Sequence, residues 1–185
     1  MQTYYEEDLL EAGIDEVARG CLAGPVYTAA VVWPKELDES ENHPILRDSK
    51  QLSARRRLIL KDYIEETALD FSVASGSNED IDKHNILQST FRTMHKAIDN
   101  LNIDVDFILV DGTSFKPYYN QKNDLIPHKC FIKGDSKFAA ISAASILAKV
   151  YHDLYIEKLC DENPDFEKYG WRSNMCYGTA EHINA

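Results

Sequence analysis

Residues 137–160 constrain the fold of this chain more than any other stretch, because they read as one long helix with two separate faces. Ala143, Leu147, Val150 and Leu154 form an apolar stripe, while Ser142, Ser145, Lys149 and Asp153 recur at +3, +4 and +4 and form a polar one. Such a helix packs by one face and presents the other to something polar. The alanines among the serines allow close approach. Taken alone, small residues also suit plain packing on a sheet, and Lys149 and Asp153 have the spacing of an ordinary i, i+4 surface pair.

Around this helix the sequence alternates. Strand signals fall at 13–15, 26–33 (VYTAAVVW), 71–75, 107–110 (FILV) and 130–132, each bounded by Gly, Pro, Asn or Asp. Ser53 is placed to cap a helix reaching Thr67, and Ser77 or Asn78 to cap another that carries Leu87, Phe91, Met94 and Ile98 at +4, +3 and +4. Two strands first, then helices between the remaining strands, predict an α/β fold: a five-stranded mixed sheet flanked by helices. The 185 residues, 44% hydrophobic, fit one domain with its own core, and PKELDESENHP at 34–44 reads as a surface loop.

Several function classes drop out. The most apolar stretch, 23–33, falls well short of the ~20 residues a membrane-crossing helix needs, and the acidic start MQTYYEEDLLEAG is no signal peptide, so a cytoplasmic location is expected. Cys21, Cys130, Cys160 and Cys176 lack ligand spacing and are expected to be reduced thiols. There is no GxSxG, GxGxxG or P-loop pattern, and KGDSK at 133–137 lacks the glycine spacing of a phosphate loop. No histidine pair has HExxH spacing; only His152, beside Asp153, has a suggestive neighbour.

With 20 Lys+Arg against 31 Asp+Glu the net charge is −11, which by itself disfavours a polyanionic partner. The charge is unevenly spread, however. Residues 47–61 carry six basic side chains and only Asp48, and residues 125–150 carry Lys129, Lys133, Lys137 and Lys149 against Asp135. The arginine run 55–57 alone reads as a solvated helix face.

The chemistry lies in carboxylates. Asp15 and Glu16 follow Ile14 at the end of the first strand; neighbours on a strand point to opposite faces, so both reach one site only if the strand ends or bulges there. Asp111 ends FILV before Gly112, at the carboxyl edge of a buried strand, where α/β sheets tend to bind ligands, although Asp-Gly alone often marks just a turn. Asp153 would come from the long helix. Converging oxygens suit hard Mg²⁺ or Mn²⁺, and two such ions about 4 Å apart suit in-line displacement at phosphorus.

These residues occur within a set of motifs that resembles ribonuclease HII, the type 2 ribonuclease H: GIDEVARGCLAGPVYTAAVVWP at 13–34, DSKQLS at 48–53, ILVDG at 108–112, KGDSK at 133–137, ISAASILAKVYHD at 141–153 and YGTAEH at 177–182. They stand in family order and span nearly the whole chain. The resemblance implies a single ribonuclease H-like domain over 1–185 that acts as an endonuclease on RNA in RNA/DNA hybrids and 5′ to ribonucleotides embedded in duplex DNA. The products would carry a 3′-hydroxyl and a 5′-phosphate. It implies Mg²⁺ or Mn²⁺, two ions per site, on Asp15, Glu16, Asp111 and Asp153, a monomer without membrane partners, and a place in ribonucleotide excision repair and DNA replication.

By the same resemblance, Ala18, Arg19 and Gly20 form the loop that senses the 2′-hydroxyl, Tyr177 lies beside the deoxyribose, and Lys50, Ser145 and Lys149 face phosphate. Ala18 stands where the family has glycine, Met175-Cys176 where Lys-Gly is usual, and the tail after YGTAEH is shorter than in relatives. Two alternatives stay open: a nucleic-acid-binding relative of weakened turnover, and a resolvase-like DNA nuclease.

Overall fold

The computed structural model describes residues 1–37, 43–44, 46 and 52–185. Strands β1 (Glu11–Val17), β2 (Val26–Val32), β3 (Asp70–Gly76) and β4 (Phe107–Asp111) are followed by a short ribbon, β5 (Tyr118–Tyr119) and β6 (Leu125–Ile126), and by β7 (His128–Phe131). The main sheet has the order β3-β2-β1-β4-β7. β2 runs antiparallel to β1 and β3, whereas β4 is parallel to β1 and β7 to β4, so the sheet is mixed, as expected. The ribbon had no counterpart among the sequence signals, because strands of two residues carry no periodicity.

Helices α1 (Ala54–Thr67), α3 (Ile86–Asp99) and α4 (Ala139–Glu162) cover the sheet, and the short α2 (Asn78–His84) precedes α3. Central strands buried on both sides are mostly apolar, and β2 divides its apolar side chains between the two faces. Ala30 and Val32 pack with Ala12 and Ile14 against Phe91, Met94 and Ile98 of α3. Ala29 and Val31 pack on the other face against Leu60 and Ile64 of α1 and Ala143, Ile146, Leu147 and Val150 of α4. Each fully buried aliphatic side chain of this kind contributes about 1.5–3 kcal/mol.

Caps set the helix boundaries. Ser53 Oγ accepts from Arg56 N at 3.3 Å, as expected for the start of α1. Ser77 caps only the seven-residue α2, and the chain then turns at Asn85, whose φ of 65° breaks the helix and whose Oδ1 accepts from Gln88 N to start α3. One expected helix is therefore two, and Leu87, in the first turn of α3, is exposed while Phe91, Met94 and Ile98 are buried. The long helix begins at Ala139, after a 3-10 turn at Gly134–Ser136. Its apolar stripe holds for Ala143, Leu147 and Val150, but Leu154 is 41% exposed and Ile156 is buried in its place. Beyond it, the 3-10 segment Pro164–Tyr169 and helices α5 (Trp171–Asn174) and α6 (Ala180–Asn184) fold back, with Trp171 and Cys176 on Ile156 and Cys160. No helix among the described residues is long and apolar enough to cross a membrane.

A close backbone contact joins β1 to α4. A Cβ built on Gly13 would lie 2.3 Å from the carbonyl carbon of Ala140 and 2.4 Å from the nitrogen of Ile141, both backbone atoms that cannot swing aside. Gly13→Ala is expected to push α4 off the sheet and lower the unfolding free energy by about 3 kcal/mol, seen as a lower denaturant midpoint; a midpoint equal to that of the unaltered protein would contradict this packing.

Candidate active site

The strand ends at the carboxyl edge of the sheet create the site. Parallel pairing of β1 with β4 stops at Ile14 and Val110, but β1 continues in register with β2 through Val17. Asp15 thus comes level with Asp111 while Glu16 overhangs the end of β4, and both reach one cavity although they point to opposite faces. The expected end or bulge at this pair is absent; the overhang does its work, and the turn comes later, at Ala18. Asp111, the last residue of β4, lies opposite.

Asp15, Glu16, Val17, Asp111, Asp135, Ser145, Lys149 and Tyr177 line this cavity of about 360 Å³. Asp15 is 7% exposed; its Oδ1 accepts from the backbone N–H of Glu16 at 2.7 Å, and the Ser145 hydroxyl also hydrogen-bonds its carboxylate. Asp111 Oδ1 accepts from Gly134 N at 2.7 Å, in the KGDSK turn. Glu16 Oε1 pairs with Arg19 at 3.0 Å. Burial, reinforced by the Glu16 and Asp111 charges, pushes the Asp15 carboxyl well above the usual range. Burial also raises Glu16, with the Arg19 guanidinium opposing. Hard oxygens crowded until they resist ionisation are a donor set that a divalent cation satisfies. Among the described residues, however, no three His, Cys, Asp or Glu side chains already stand as one ion's ligand group.

Asp153, the fourth carboxylate expected at the site, stands apart from the other three. Asp153 does not line this cavity. It opens on an adjacent groove with Arg57, Leu58, Glu157 and Met175, and Lys149 forms the wall between the two. The reason is helical: at 100° and 1.5 Å per residue, Asp153 lies about 12 Å beyond Ser145 and about 80° around the axis. Lys149 Nζ at 2.8 Å and His152 Nδ1 at 3.1 Å contact its Oδ1, and Arg57 lies 3.5 Å from its Oδ2. Burial alone would raise its pKa, but the hydrogen bonds from His152 and Lys149 outweigh that and hold it below the usual value. Asp135 lines the cavity in its place. It belongs to KGDSK, one of the motifs that carry the family resemblance, although no role was expected of Asp135 itself.

The remaining expected residues divide as follows. Ser145, Lys149 and Tyr177 line the cavity, whereas Ser142 is fully buried and its hydroxyl has no hydrogen-bond partner. Lys50 lies outside the described residues. The Ala18-Arg19-Gly20 loop meets the 175–177 segment through the Cys21–Tyr177 bridge and the bond from Leu22 N to Cys176 O at 2.9 Å. The Tyr177 ring lies over Gly20, where an added Cβ would be 3.6 Å from it, and 5.8 Å from Lys149 Nζ. Ala18 has φ 73°, Met175 48° and Cys176 66°, left-handed conformations that favour glycine.

A family profile for Ribonuclease HII matches residues 12–185. Proteins named Ribonuclease HII from Christiangramia forsetii and Porphyromonas gingivalis are 46% and 42% identical over 182 and 185 residues, covering 98% and 100% of this chain and 86% of each relative. Among solved structures, ribonuclease H2 from Pyrococcus horikoshii OT3 superposes with a TM-score of 0.76 at 26% identity, over 94% of this chain and 82% of that one.

Two outcomes follow from the geometry. Because Asp15 titrates higher in the fold than in the unfolded chain, its contribution is favourable below the ordinary carboxylate range and is lost as pH rises through the raised value. At neutral pH with chelator, Asp15→Asn should therefore raise the melting temperature, and it should shrink the further rise that Mn²⁺ produces; a fall with chelator would contradict the crowding. Ala18→Gly should stabilise the fold by about 1 kcal/mol in denaturant titration, since the left-handed backbone no longer opposes a Cβ.

Proposed function

The chain belongs to the ribonuclease HII family and is a ribonuclease H-type endoribonuclease; from this premise we propose that it cuts RNA in RNA/DNA hybrids and 5′ to ribonucleotides embedded in duplex DNA, through cations held by Asp15, Glu16, Asp111 and Asp135. The observation that carries the reading is the single cavity these four carboxylates line at the carboxyl edge of the sheet. Mg²⁺ or Mn²⁺, two per site, would supply the charge that activates water and stabilises the departing 3′-oxygen.

The protein's own part is orientation. The Gly134 N–H fixes Asp111, and the Glu16 N–H with the Ser145 hydroxyl fixes Asp15, so two oxygens keep their directions before substrate arrives. Lys149, on the cavity wall, meets a backbone phosphate. The 18–20 loop and Tyr177 form the adjoining part of the rim. A 2′-hydroxyl is the group by which a ribonucleotide within DNA can be told apart, and the loop, exposed at Arg19 and Gly20, presents backbone donors and acceptors to it. Tyr177 packs directly on the loop, its hydroxyl within hydrogen-bonding reach of the Ala18 backbone and the Cys21 thiol.

The test is incubation with a DNA duplex containing one ribonucleotide, in Mg²⁺ or Mn²⁺ and then with chelator. Incision 5′ to the ribonucleotide is expected only with the cation, and Asp111→Asn and Asp135→Asn should each lower kcat by at least about a hundredfold, since even residues behind metal ligands cost 10–100-fold. Equal cutting of an all-DNA duplex would replace this reading with the resolvase-like one, and binding without incision would replace it with the nucleic-acid-binding one.

A further inference from the structure

Asp153 is half-buried, at the junction of α1 and α4, and three cationic or hydrogen-bond-donating side chains converge on it. Lys149 is gripped one turn back along α4, with Nζ 2.8 Å from Oδ1. That grip keeps the ammonium at the wall of the catalytic cavity, 5.8 Å from the Tyr177 ring. Arg57 of α1 lies 3.5 Å from Oδ2 and also donates to the Leu52 carbonyl at 2.7 Å, within the DSKQLS motif. His152 is fully buried; its Nδ1 contacts Asp153, and its Nε2 has no partner. A buried ring nitrogen without an acceptor is best left bare, which places the ring proton on Nδ1, aimed at the carboxylate.

This is an arrangement for holding a side chain still. A cation ligand needs oxygens free to face the ion, whereas both oxygens of Asp153 are already engaged, outside the cavity of the other carboxylates. We infer that Asp153 is a positioning residue: its carboxylate holds Lys149 at the rim for a substrate phosphate and ties Leu52 to α4 through Arg57. The inference rests on the proposed function and adds to it the device that presets its phosphate contacts. Lysine loses much side-chain entropy when it orders on a phosphate, and a fixed counter-charge removes part of that cost before binding.

Asp153→Asn keeps the shape and removes the charge. Isothermal titration of the metal-free variant with Mn²⁺ should give an affinity within about twofold of the unaltered protein, whereas Asp135→Asn should lose it. On the single-ribonucleotide duplex, KM should rise about tenfold with kcat changed less than about threefold, the pattern of lost binding and not of lost chemistry. Lys149→Gln should raise KM comparably, and adding Asp153→Asn to it should raise KM much less than Asp153→Asn does alone, which a general loss of stability would not produce. Should Asp153→Asn fail to fold, Arg57→Gln should raise KM with Mn²⁺ affinity unchanged, and Arg57→Lys should recover part of the loss. Loss of Mn²⁺ binding, or a fall in kcat at constant KM, in Asp153→Asn would overturn the inference and return this residue to the cation ligands. Absence of cation-dependent incision by the unaltered protein would instead overturn the proposed function.

Discussion

The backbone of α4 lies directly on β1 at the one position where the strand carries no side chain, and the placement of the site depends on that contact. From Gly13 to Asp15 the strand advances about 7 Å, and from Ile141 to Ser145 the helix advances about 6 Å, so Ser145 comes level with Asp15 and hydrogen-bonds it. A helix held away by even one methyl group would lose that register. Lys149 sits a further turn along, at the rim, and Asp153 passes beyond the strand end altogether. One steric fact thus decides which α4 side chains enter the cavity.

Crowding carboxylates at this edge opposes folding, and the local structure relieves only part of the cost. Gly134 N–H, Glu16 N–H, Ser145 and Arg19 each donate to one of the acids, yet Asp15 and Glu16 still titrate high because burial outweighs those donors. In a chain of net charge −11, Arg19, Arg57 and Lys149 gather at this edge, where two of them are bound to Asp153. The acids are therefore left short of positive charge where a cation would supply it, while the cation-bearing side chains stand beside them. That separation suits a site that must hold metal and phosphate at once.

The sheet and its helices were legible because burial on both faces leaves continuous apolar runs, as in FILV and VYTAAVV, and because Ser53 and Ser77 cap as short polar residues do. Asp15, Glu16 and Asp111 could be singled out for a related reason: Asp15 and Asp111 are the first acids after the apolar runs that end at Ile14 and Val110, and Glu16 follows Asp15 directly. Asp153 was expected beside the others because +4 spacing suggests one face, whereas two such steps turn about 80° around a helix and bring the side chain to the neighbouring groove. Asp135 was missed because its position comes from a 3-10 turn and from Gly134 approaching Asp111, neither of which has a period to read. Arg57 disappeared into a run of three arginines; only its two exposed neighbours behave as the solvated face expected of that run.

Left-handed residues tie the rim of the cleft to the C-terminal helices. Ala18 and Cys176 both adopt positive φ without being glycine, and such conformations persist only where surrounding structure holds them. Here the holding is mutual: Leu22 N donates to Cys176 O, the Cys21 thiol reaches the Met175 carbonyl at 3.3 Å, and Tyr177 covers Gly20. Cys176 itself is fully buried with Ile156, Cys160 and Trp171. Glycine at 18 and 176 would let each turn relax alone, whereas alanine and cysteine make each depend on the other and on that apolar cluster. The loop that faces the 2′-hydroxyl in the proposed reading is thereby anchored to the packing of α5 on α4, so substitutions around Trp171, far from any reacting atom, would be felt at the cleft through the shape of that loop.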